Sequence, residues 1–311
     1  MKGTVSTLLA AVLAASLPAS ALAQFAQHGA GAAGWLHCGA FHPTDADVLV
    51  IGADVSGVSR SDDFGKSWYT WNEGLPTDHE VPSDYIEDLL GVAGGNFSGF
   101  FAATRGGLFR ARDDGAWQWL TEPPAYAYDS TESWRAEIIP FCSLDVNLEG
   151  DLLVAGAGNT RWGKQAEFES YPGLPDGTFV PWPQGPSEQW SVWAMDPGDP
   201  QALPTPLGDC RFKTARAVAC RKLDGQDHVV AGTPEGIFVH DGQGWQSIYD
   251  ASAGAGLDCW GLALTQRGTL YAAMARLSGS LLPTGLYRIA DIRSVAPSWE
   301  WVGDSTLLPP R

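Results

Sequence analysis

Basic side chains are scarce in this sequence. Its 311 residues include 19 Lys and Arg against 36 Asp and Glu, so the formal net charge is −17 at pH 7. No segment is rich in Lys and Arg. Nucleic acids and anionic membranes bind through cationic patches, so we exclude both as partners. A neutral polymer remains electrostatically acceptable, and we predict a polysaccharide substrate or ligand. The sequence leaves the oligomeric state open.

Long apolar runs are lacking after the N-terminal segment. There, Lys2 precedes an apolar run over residues 8–17, and the small residues Ala-Leu-Ala precede Gln24. This pattern predicts a signal peptide over residues 1–23. The run is too short to span a membrane. Residues 24–311 are then expected to form an exported domain, either extracellular or periplasmic.

Helical periodicity is also lacking after the predicted signal peptide. Methionine is rare, with 3 residues, whereas glycine (37), proline (21) and tryptophan (14) are abundant. Such a composition favours many short strands that are joined by tight turns, with aromatic rings between flat sheets. The sequence therefore predicts an all-β protein.

Motifs for metals, phosphates and serine nucleophiles are absent. The six histidines show no zinc-ligand spacing, and neither a phosphate-binding glycine loop nor a G-x-S-x-G motif occurs. We predict no metal and no cofactor. Five cysteines in an exported chain predict up to two disulfides and one remaining thiol. Cys210 and Cys220 are the nearest pair in sequence.

An internal repeat is the main feature that the sequence does contain. Each copy has a strand of small and β-branched residues, a turn with glycine, a second strand, and a polar hairpin that ends in tryptophan. Four copies lie at residues 48–68, 100–119, 228–248 and 269–302. Their glycines are Gly57, Gly107, Gly236 and Gly285, and their tryptophans are Trp68, Trp117, Trp245 and Trp299.

Two weaker copies complete the pattern. One can be traced from residue 150 through "GTFVPWPQG", and residues 193–203 echo residues 40–49, which suggests the start of a faint sixth unit. Three or four antiparallel strands in roughly 40 to 50 residues are typical of a propeller blade. We therefore predict one β-propeller of about six to seven four-stranded blades, five of them clear. Closing the ring would leave no long exposed strand edge.

The hairpin "SDDFGKSW" fits the Asp-box pattern S-x-D-x-G-x-S/T-W. Its matching residues include Ser61, Asp63, Gly65 and Trp68. The Asp63 carboxylate is expected to accept hydrogen bonds from the hairpin amides, while Trp68 packs under the turn. Residues 112–117 and 240–245 are eroded versions. We interpret these residues as structural.

Residues 34–78 resemble a known family. The stretch "FHPTDADVLVIGADVSGVSRSDDFGKSW" is similar to the N-terminal blade of two-propeller xyloglucanases and related β-glucanases, within the BNR or sialidase-like propellers. The resemblance implies glycoside hydrolysis. In that family the acidic residue of a D-x-G-G motif is a catalytic carboxylate, and Asp54 in "ADVSG" matches it. The resemblance assigns Asp54 the role of base.

The loops between second and third strands should open at the propeller end opposite the Asp-box hairpins. The repeat register would bring their polar residues to one rim. These residues are Asp54, Arg105, Asn159, Arg161, Glu235 and Arg276. Hydrolysis of a glycoside needs two carboxyl groups, so we predict Glu235 as the acid that complements Asp54. The arginines and Asn159 are predicted to bind substrate.

Three functional hypotheses remain open. The resembling family takes its second carboxylate from a second propeller, and this sequence is too short to contain one. The first hypothesis is a secreted propeller that binds and hydrolyses a neutral polysaccharide of the xyloglucan or β-1,4-glucan type. The second is a non-catalytic module that binds glycans or proteins, or serves in assembly. The third is a truncated half of a two-propeller glycosidase.

Overall fold

The protein is an all-β propeller. A computed structural model describes residues 35–76, 85–113, 115–121, 141–157, 191–210, 215–250, 257–276, 284–294 and 297–302. These residues form twenty strands in five sheets, and each sheet has four antiparallel strands in chain order. In the described part of the chain, no helix has the length and apolar character needed to cross a bilayer.

The first three sheets run from the innermost to the outermost strand. Sheet 1 contains β1 Leu36–Phe41, β2 Leu49–Ala53, β3 Val58–Ser61 and β4 Tyr69–Thr70. Sheet 2 contains β5 Ile86–Gly94, β6 Phe97–Thr104, β7 Gly107–Arg112 and β8 Gln118–Trp119. Sheet 3 contains β9 Phe141–Val146, β10 Leu153–Ala157, β11 Val192–Met195 and β12 Thr205–Pro206.

The last two sheets have the same order. Sheet 4 contains β13 Ala217–Leu223, β14 Gln226–Thr233, β15 Gly236–His240 and β16 Trp245–Asp250. Sheet 5 contains β17 Leu257–Leu264, β18 Leu270–Arg276, β19 Gly285–Ile289 and β20 Glu300–Trp301. The repeated glycines Gly107, Gly236 and Gly285 begin third strands, and Gly57 immediately precedes one.

The described residues form five blades, and the predicted start of a sixth unit belongs to sheet 3. Residues 193–203 were expected to begin a further copy. Instead β11 pairs with β10 on one side and with β12 on the other, so it is a third strand. The echo of residues 40–49 arises because both segments place a tight turn directly after a strand.

Consecutive sheets pack face to face through their apolar side chains. The inner strand of each sheet contacts the inner strand of the next, from β1 through β5, β9 and β13 to β17. Small residues allow this crowding. A β-carbon on Gly52 would lie 2.5 Å from Ile86 Cγ2 of the next sheet, and one on Gly232 would overlap the Cys259 sulfur. Glycine at these positions therefore sets the spacing of the blades.

The repeated tryptophans join neighbouring blades. The Trp117 indole donates a hydrogen bond to the Trp71 carbonyl at 2.8 Å. Trp245 donates to the Leu207 carbonyl at 2.8 Å, and Trp299 donates to that of Ile248 at 3.0 Å. Every acceptor lies in or beside the outer strand of the preceding sheet. The repeat signal thus records a contact between blades.

Arginine side chains also connect neighbouring sheets, and we call these hydrogen bonds and those of the tryptophans ties. Each arginine tie runs from one sheet to the next sheet along the chain. Arg60 of β3 donates to the Asp113 carbonyl in the next sheet. Arg110 of β7 donates to the carbonyls of Asp199, at 3.2 Å, and Pro200 in sheet 3. Both arginines stand three residues after a repeat glycine. The outer strands are therefore connected by polar contacts in addition to the apolar core.

The prediction of disulfides was wrong, because all five cysteines are free thiols. Cys210 and Cys220, the pair nearest in sequence, lie in separate environments. Cys210 donates to the Val192 carbonyl at 3.3 Å, whereas Cys220 lies on β13 and points its sulfur towards the Leu152 carbonyl. Burial raises the pKa of both thiols and raises that of Cys259 to about 12. These cysteines act as small apolar core residues.

Candidate functional site

The two ends of the propeller differ as the repeat register predicted. The hairpin between β3 and β4 contacts the hairpin between β1 and β2, since the Phe64 amide donates to the Asp47 carbonyl at 2.8 Å. At the opposite end, the loops between second and third strands meet the starts of the inner strands. Here the Arg105 amide donates to the Tyr85 carbonyl at 3.3 Å. We call this opposite end the loop end.

The Asp63 hairpin is held by its own side chains. The Asp63 carboxylate accepts hydrogen bonds from the Ser67 amide at 2.8 Å and the Ser67 hydroxyl at 2.6 Å. Ser61 donates to Asp63 at 2.9 Å, and the Trp68 indole donates to the Gly65 carbonyl at 3.1 Å. The bonds from Ser67 lower the pKa of Asp63 to about 2.

Asp54 lies at the loop end and contacts the start of the first sheet. Its carboxylate accepts a hydrogen bond from the Trp35 amide at 2.9 Å, and its own amide donates to the Trp35 carbonyl at 3.1 Å. Among the described residues, Asp54 makes its hydrogen bonds with Trp35 alone. The arrangement extends the pairing of β1 and β2 by one residue pair.

Arg105 belongs to a buried cluster in sheet 2. Its Nε lies 3.2 Å from Glu87 Oε1, and its guanidinium lies over the Tyr85 ring at 4.1 Å. Glu87 is 1% exposed, and its Oε2 makes no hydrogen bond within the described residues. The carboxylate neutralises the arginine, while the ring fixes its plane.

Glu235 lies near a second cluster, which joins sheets 4 and 5. Arg216, just before β13, donates from Nη1 to Asp258 Oδ2 of β17 at 2.6 Å. The Arg216 guanidinium also lies 4.8 Å from the centre of the Trp260 ring. Burial raises the pKa of Asp258 against the effect of Arg216, and the charge of Glu235 adds to the rise. Asp258 and Glu235 are therefore neighbouring carboxylates.

The second cluster also contains buried polar atoms that lack hydrogen bonds. Asp258 is 4% exposed, and its Oδ1 has no hydrogen-bond partner in the described part of the chain. The same is true of Arg216 Nε. Trp260, in contrast, keeps 37% of its surface exposed. An exposed ring thus stands beside one acceptor and one donor with unused hydrogen-bonding capacity.

β-bulges present two of these side chains. In four sheets the inner strand carries one residue without a cross-strand partner, at His37, Glu87, Cys142 and Trp260. A bulge interrupts the alternation of a strand and redirects a side chain. Glu87 and Trp260 are bulge residues, so the same local irregularity places a site residue in both clusters.

A polar cavity of about 240 Å³ lies between the inner strands of sheets 2 to 5. Trp260 lines it together with Asp88, Asp145 and Arg221. Asp145 forms an ion pair with Arg221 at 2.9 Å, and burial raises the pKa of Asp145 despite this partner. Because Trp260 contacts both Arg216 and the cavity, the second cluster adjoins the propeller axis.

Sequence reasoning found some of these residues and missed others. Arg105 and Glu235 lie in the predicted loops. Asn159, Arg161 and the side chain of Arg276 lie outside the described residues, as does the predicted signal peptide at 1–23. Glu87, Arg216, Asp258 and Trp260 were not predicted as site residues. One available signal was the acidic residue near the start of several inner strands, as in "IED" and "LDC".

The described residues provide no metal centre. Within those ranges, no group of three or more His, Cys, Asp or Glu side chains is arranged to hold a metal ion.

Comparisons with known proteins identify the architecture. No protein-family model matches the chain, and no curated protein matches it. Among solved structures, an ancestral GH74 enzyme has a TM-score of 0.56 at 18% identity, covering 88% of this chain and 32% of its own. The GH74 enzyme of Niastella koreensis has a TM-score of 0.51 at 14% identity, with coverages of 83% and 37%.

A third similar structure is the GH74 xyloglucanase from Xanthomonas campestris. Its TM-score is 0.51 at 14% identity, covering 84% of this chain and 38% of its own. The chain thus spans about a third of the length of these three solved structures. At such identities the likeness shows the β-propeller fold alone.

Proposed function

We propose that the protein is a secreted propeller that binds a neutral polysaccharide of the xyloglucan or β-1,4-glucan type at its loop end. The observation that carries this proposal is the second cluster. It combines the exposed Trp260 ring with two buried polar atoms that make no hydrogen bond within the described residues. A sugar ring stacks its apolar face on tryptophan, and its hydroxyls donate and accept hydrogen bonds. Asp258 Oδ1 can accept a hydrogen bond from a sugar hydroxyl, and Arg216 Nε can donate one.

The charge balance of the loop end supports a neutral ligand. Arg105 is paired with Glu87, and Arg216 is paired with Asp258. Neither arginine offers an uncompensated charge to an acidic sugar. The overall charge of −17 also disfavours an anionic polymer. The fold that the chain shares with GH74 enzymes, one of them a xyloglucanase, supports the choice of glucan.

Hydrolysis is a second candidate function, favoured by the neighbouring carboxylates Asp258 and Glu235. A carboxyl group with a raised pKa is suited to protonate a leaving oxygen, and an ionised carboxylate can activate water. In this version of the proposal Asp258 is the acid and Glu235 assists as the base. Asp54, which the family resemblance selects as base, is the competing assignment.

Binding can be tested by affinity electrophoresis and calorimetry with xyloglucan and cello-oligosaccharides. We expect Trp260→Ala to weaken binding at least tenfold, which is about 1.4 kcal/mol. Trp301→Ala is the matched control, since Trp301 lies on the outer strand of the same sheet and is 42% exposed. Equal binding by the Trp260→Ala protein and the wild type would reject the site.

Release of reducing sugar from the same glucans separates hydrolysis from binding. Activity that Asp258→Asn and Glu235→Gln both abolish, with binding retained, would support the carboxylate pair. Activity lost only in Asp54→Asn would support the family-derived base. Binding without sugar release in the wild type would identify a non-catalytic glycan-binding module.

A further inference from the structure

A groove of about 330 Å³ lies far from the loop-end clusters, between the outer part of sheet 2 and sheet 3. Its lining includes Arg110 and Arg112 of β7, Gln118 of β8, and Pro200 and Gln201 of sheet 3. Arg110 and Arg112 are two residues apart on one strand, so both side chains face the same side of the sheet. The groove therefore presents two guanidinium groups.

Neither guanidinium has a carboxylate partner among the described residues. Arg110 is 6% exposed and donates to Gln118 Oε1 at 3.0 Å and to the carbonyls of Asp199 and Pro200. The nearby Asp199 carboxylate accepts the Gln201 amide at 2.8 Å instead. Arg112 lies over the Phe97 ring at 5.8 Å. In a chain with a net charge of −17, such a basic pair is unusual.

Sheet 1 shows how the same position is normally neutralised. Arg60 stands three residues after its repeat glycine, as Arg110 does. Its Nε lies 2.7 Å from Asp62 Oδ1, two residues along the chain. In sheet 2 the residue two positions along is Arg112. The carboxylate that pairs the first arginine is thus replaced by a second positive charge.

In sheet 5 the carboxylate that pairs with the corresponding arginine lies on the outer strand. Arg288, again three residues after a repeat glycine, forms an ion pair with Glu300, its cross-strand neighbour. The cross-strand neighbour of Arg110 is Gln118. Both positions that supply a carboxylate elsewhere therefore lack one in sheet 2.

The corresponding groove between sheets 4 and 5 has a different character. It has a volume of about 340 Å³ and is lined by Val239, Asp241 and Gln246, which correspond in register to Arg110, Arg112 and Gln118. Its arginine, Arg293, binds Asp291 at 2.8 Å and also Asp224. The shape of the groove recurs in the fold, whereas an arginine pair without an ion pair among the described residues belongs to sheet 2.

We propose that the groove between sheets 2 and 3 binds a small oxyanion, with Arg112 as the main ligand and Arg110 behind it. A guanidinium group donates two parallel hydrogen bonds to a carboxylate, sulfate or phosphate group. Arg110 is fixed by three acceptors and supplies a stationary positive charge. Arg112 is exposed, lies over the Phe97 ring and lines the groove, so its donors are accessible to an anion that enters it.

Calorimetric titration of the full chain with sulfate, inorganic phosphate and glucuronate tests the site, with sodium chloride at equal ionic strength as the reference. We expect saturable binding of at least one anion. Arg112→Gln should weaken it tenfold or more, and Arg112→Lys should weaken it less. The tightest of the three anions identifies the group that the site accepts.

Lys66→Gln is the matched control, because it removes one positive charge from an exposed loop of sheet 1. It should bind the anion as the wild type does. Three results would overturn the proposal: no saturable binding by the wild type, equal binding by Arg112→Gln, or equal weakening by Lys66→Gln. Circular dichroism of the variants confirms that each is folded.

Discussion

Internal and terminal blades use the same residues for different contacts. In sheets 2, 4 and 5 the repeated tryptophan donates to the preceding sheet, as Trp117 does to Trp71. Sheet 1 has no preceding sheet in the described chain, and Trp68 donates to Gly65 in its own hairpin. Likewise Arg110 reaches forward to sheet 3, whereas Arg288 of the last sheet pairs with Glu300 of its own sheet.

Exposure separates the two groups of blades as well. Twelve large apolar side chains are exposed among the described residues, and ten of them lie in or beside the first and last sheets. The other two, Leu148 and Leu203, belong to sheet 3. Where sheet 4 buries Val230 and Val239 against its neighbour, sheet 5 presents Tyr271 and Arg288 at the corresponding register.

The difference shows that the first and last described sheets depart from the pattern of the sheets between them. Apolar faces are covered by a neighbour between consecutive sheets, whereas most of the exposed large apolar side chains belong to the first and last described sheets. Few residues differ, because Trp68 and Arg288 bind acceptors on their own sheets instead of acceptors on a neighbouring sheet. We therefore expect the contacts between sheets to contribute more to stability than the contacts within one sheet.

Truncation of the tryptophans should give the largest contrast. Trp117 is 3% exposed and packs in the core between sheets 1 and 2, so we expect Trp117→Ala to lower the free energy of unfolding by about 3–5 kcal/mol. Trp68→Ala removes a half-buried ring and a local hydrogen bond, for about 1 kcal/mol. Urea unfolding measures both. Equal losses would show that the two tryptophans are equivalent.

Replacement of the arginines should give a smaller contrast. Arg110→Gln removes buried donors to two carbonyls of the next sheet and should cost about 1–3 kcal/mol. Arg288→Gln breaks an exposed pair within one sheet and should have no measurable effect. The same urea titrations apply. A loss for Arg288→Gln as large as that for Arg110→Gln would remove the distinction between ties.

The smallest effects are expected in the pH dependence of stability. Here the carboxyl groups of Asp63 and Asp258 should have effects of opposite sign. The pKa of Asp63 is lowered to about 2 from 3.8, so its contribution is present above pH 4 and is lost as the pH falls towards 2. The pKa of Asp258, between sheets 4 and 5, is raised. Its folded state holds the proton longer, so stability falls as the pH rises through and above 4.

Unfolding curves between pH 2.5 and 7 distinguish the two carboxyl groups. Asp63→Asn should flatten the loss on the acid side, and Asp258→Asn should flatten the fall above pH 4. The slopes are the measurement, because Asp258→Asn also leaves Arg216 without its partner and lowers stability overall. Unchanged slopes in either variant would contradict the assigned pKa direction.

The sequence predicted the blades well because each blade is a local structure. Gly107 and Gly236 begin third strands, as the repeat alignment requires, and the turn signals lie within one sheet. Residues 193–203 do not begin a unit of their own, because a strand followed by a tight turn occurs at more than one position in a blade. The prediction of disulfides was wrong because the thiols of Cys210 and Cys220 are buried at separate positions in the core.

The candidate site was only half accessible from sequence. Arg105 and Glu235 follow from the loop register. Asp258 becomes informative only once Arg216, 42 residues earlier in the chain, lies against it from the neighbouring sheet. Trp260 interrupts the two-residue alternation of β17, so the pattern that identifies a strand hides the residue that the bulge redirects.

The bulges near the starts of the inner strands each leave one side chain outside the cross-strand pairing. A bulge residue has no cross-strand partner, so its replacement leaves the register of every other pair unchanged. Trp260, which is partly exposed, could therefore be exchanged for other side chains without altering the blade spacing that glycines such as Gly52 set. Glu87 differs, because its replacement would leave the buried Arg105 without its carboxylate. The surface at such an exposed bulge can thus be changed independently of the packing between blades.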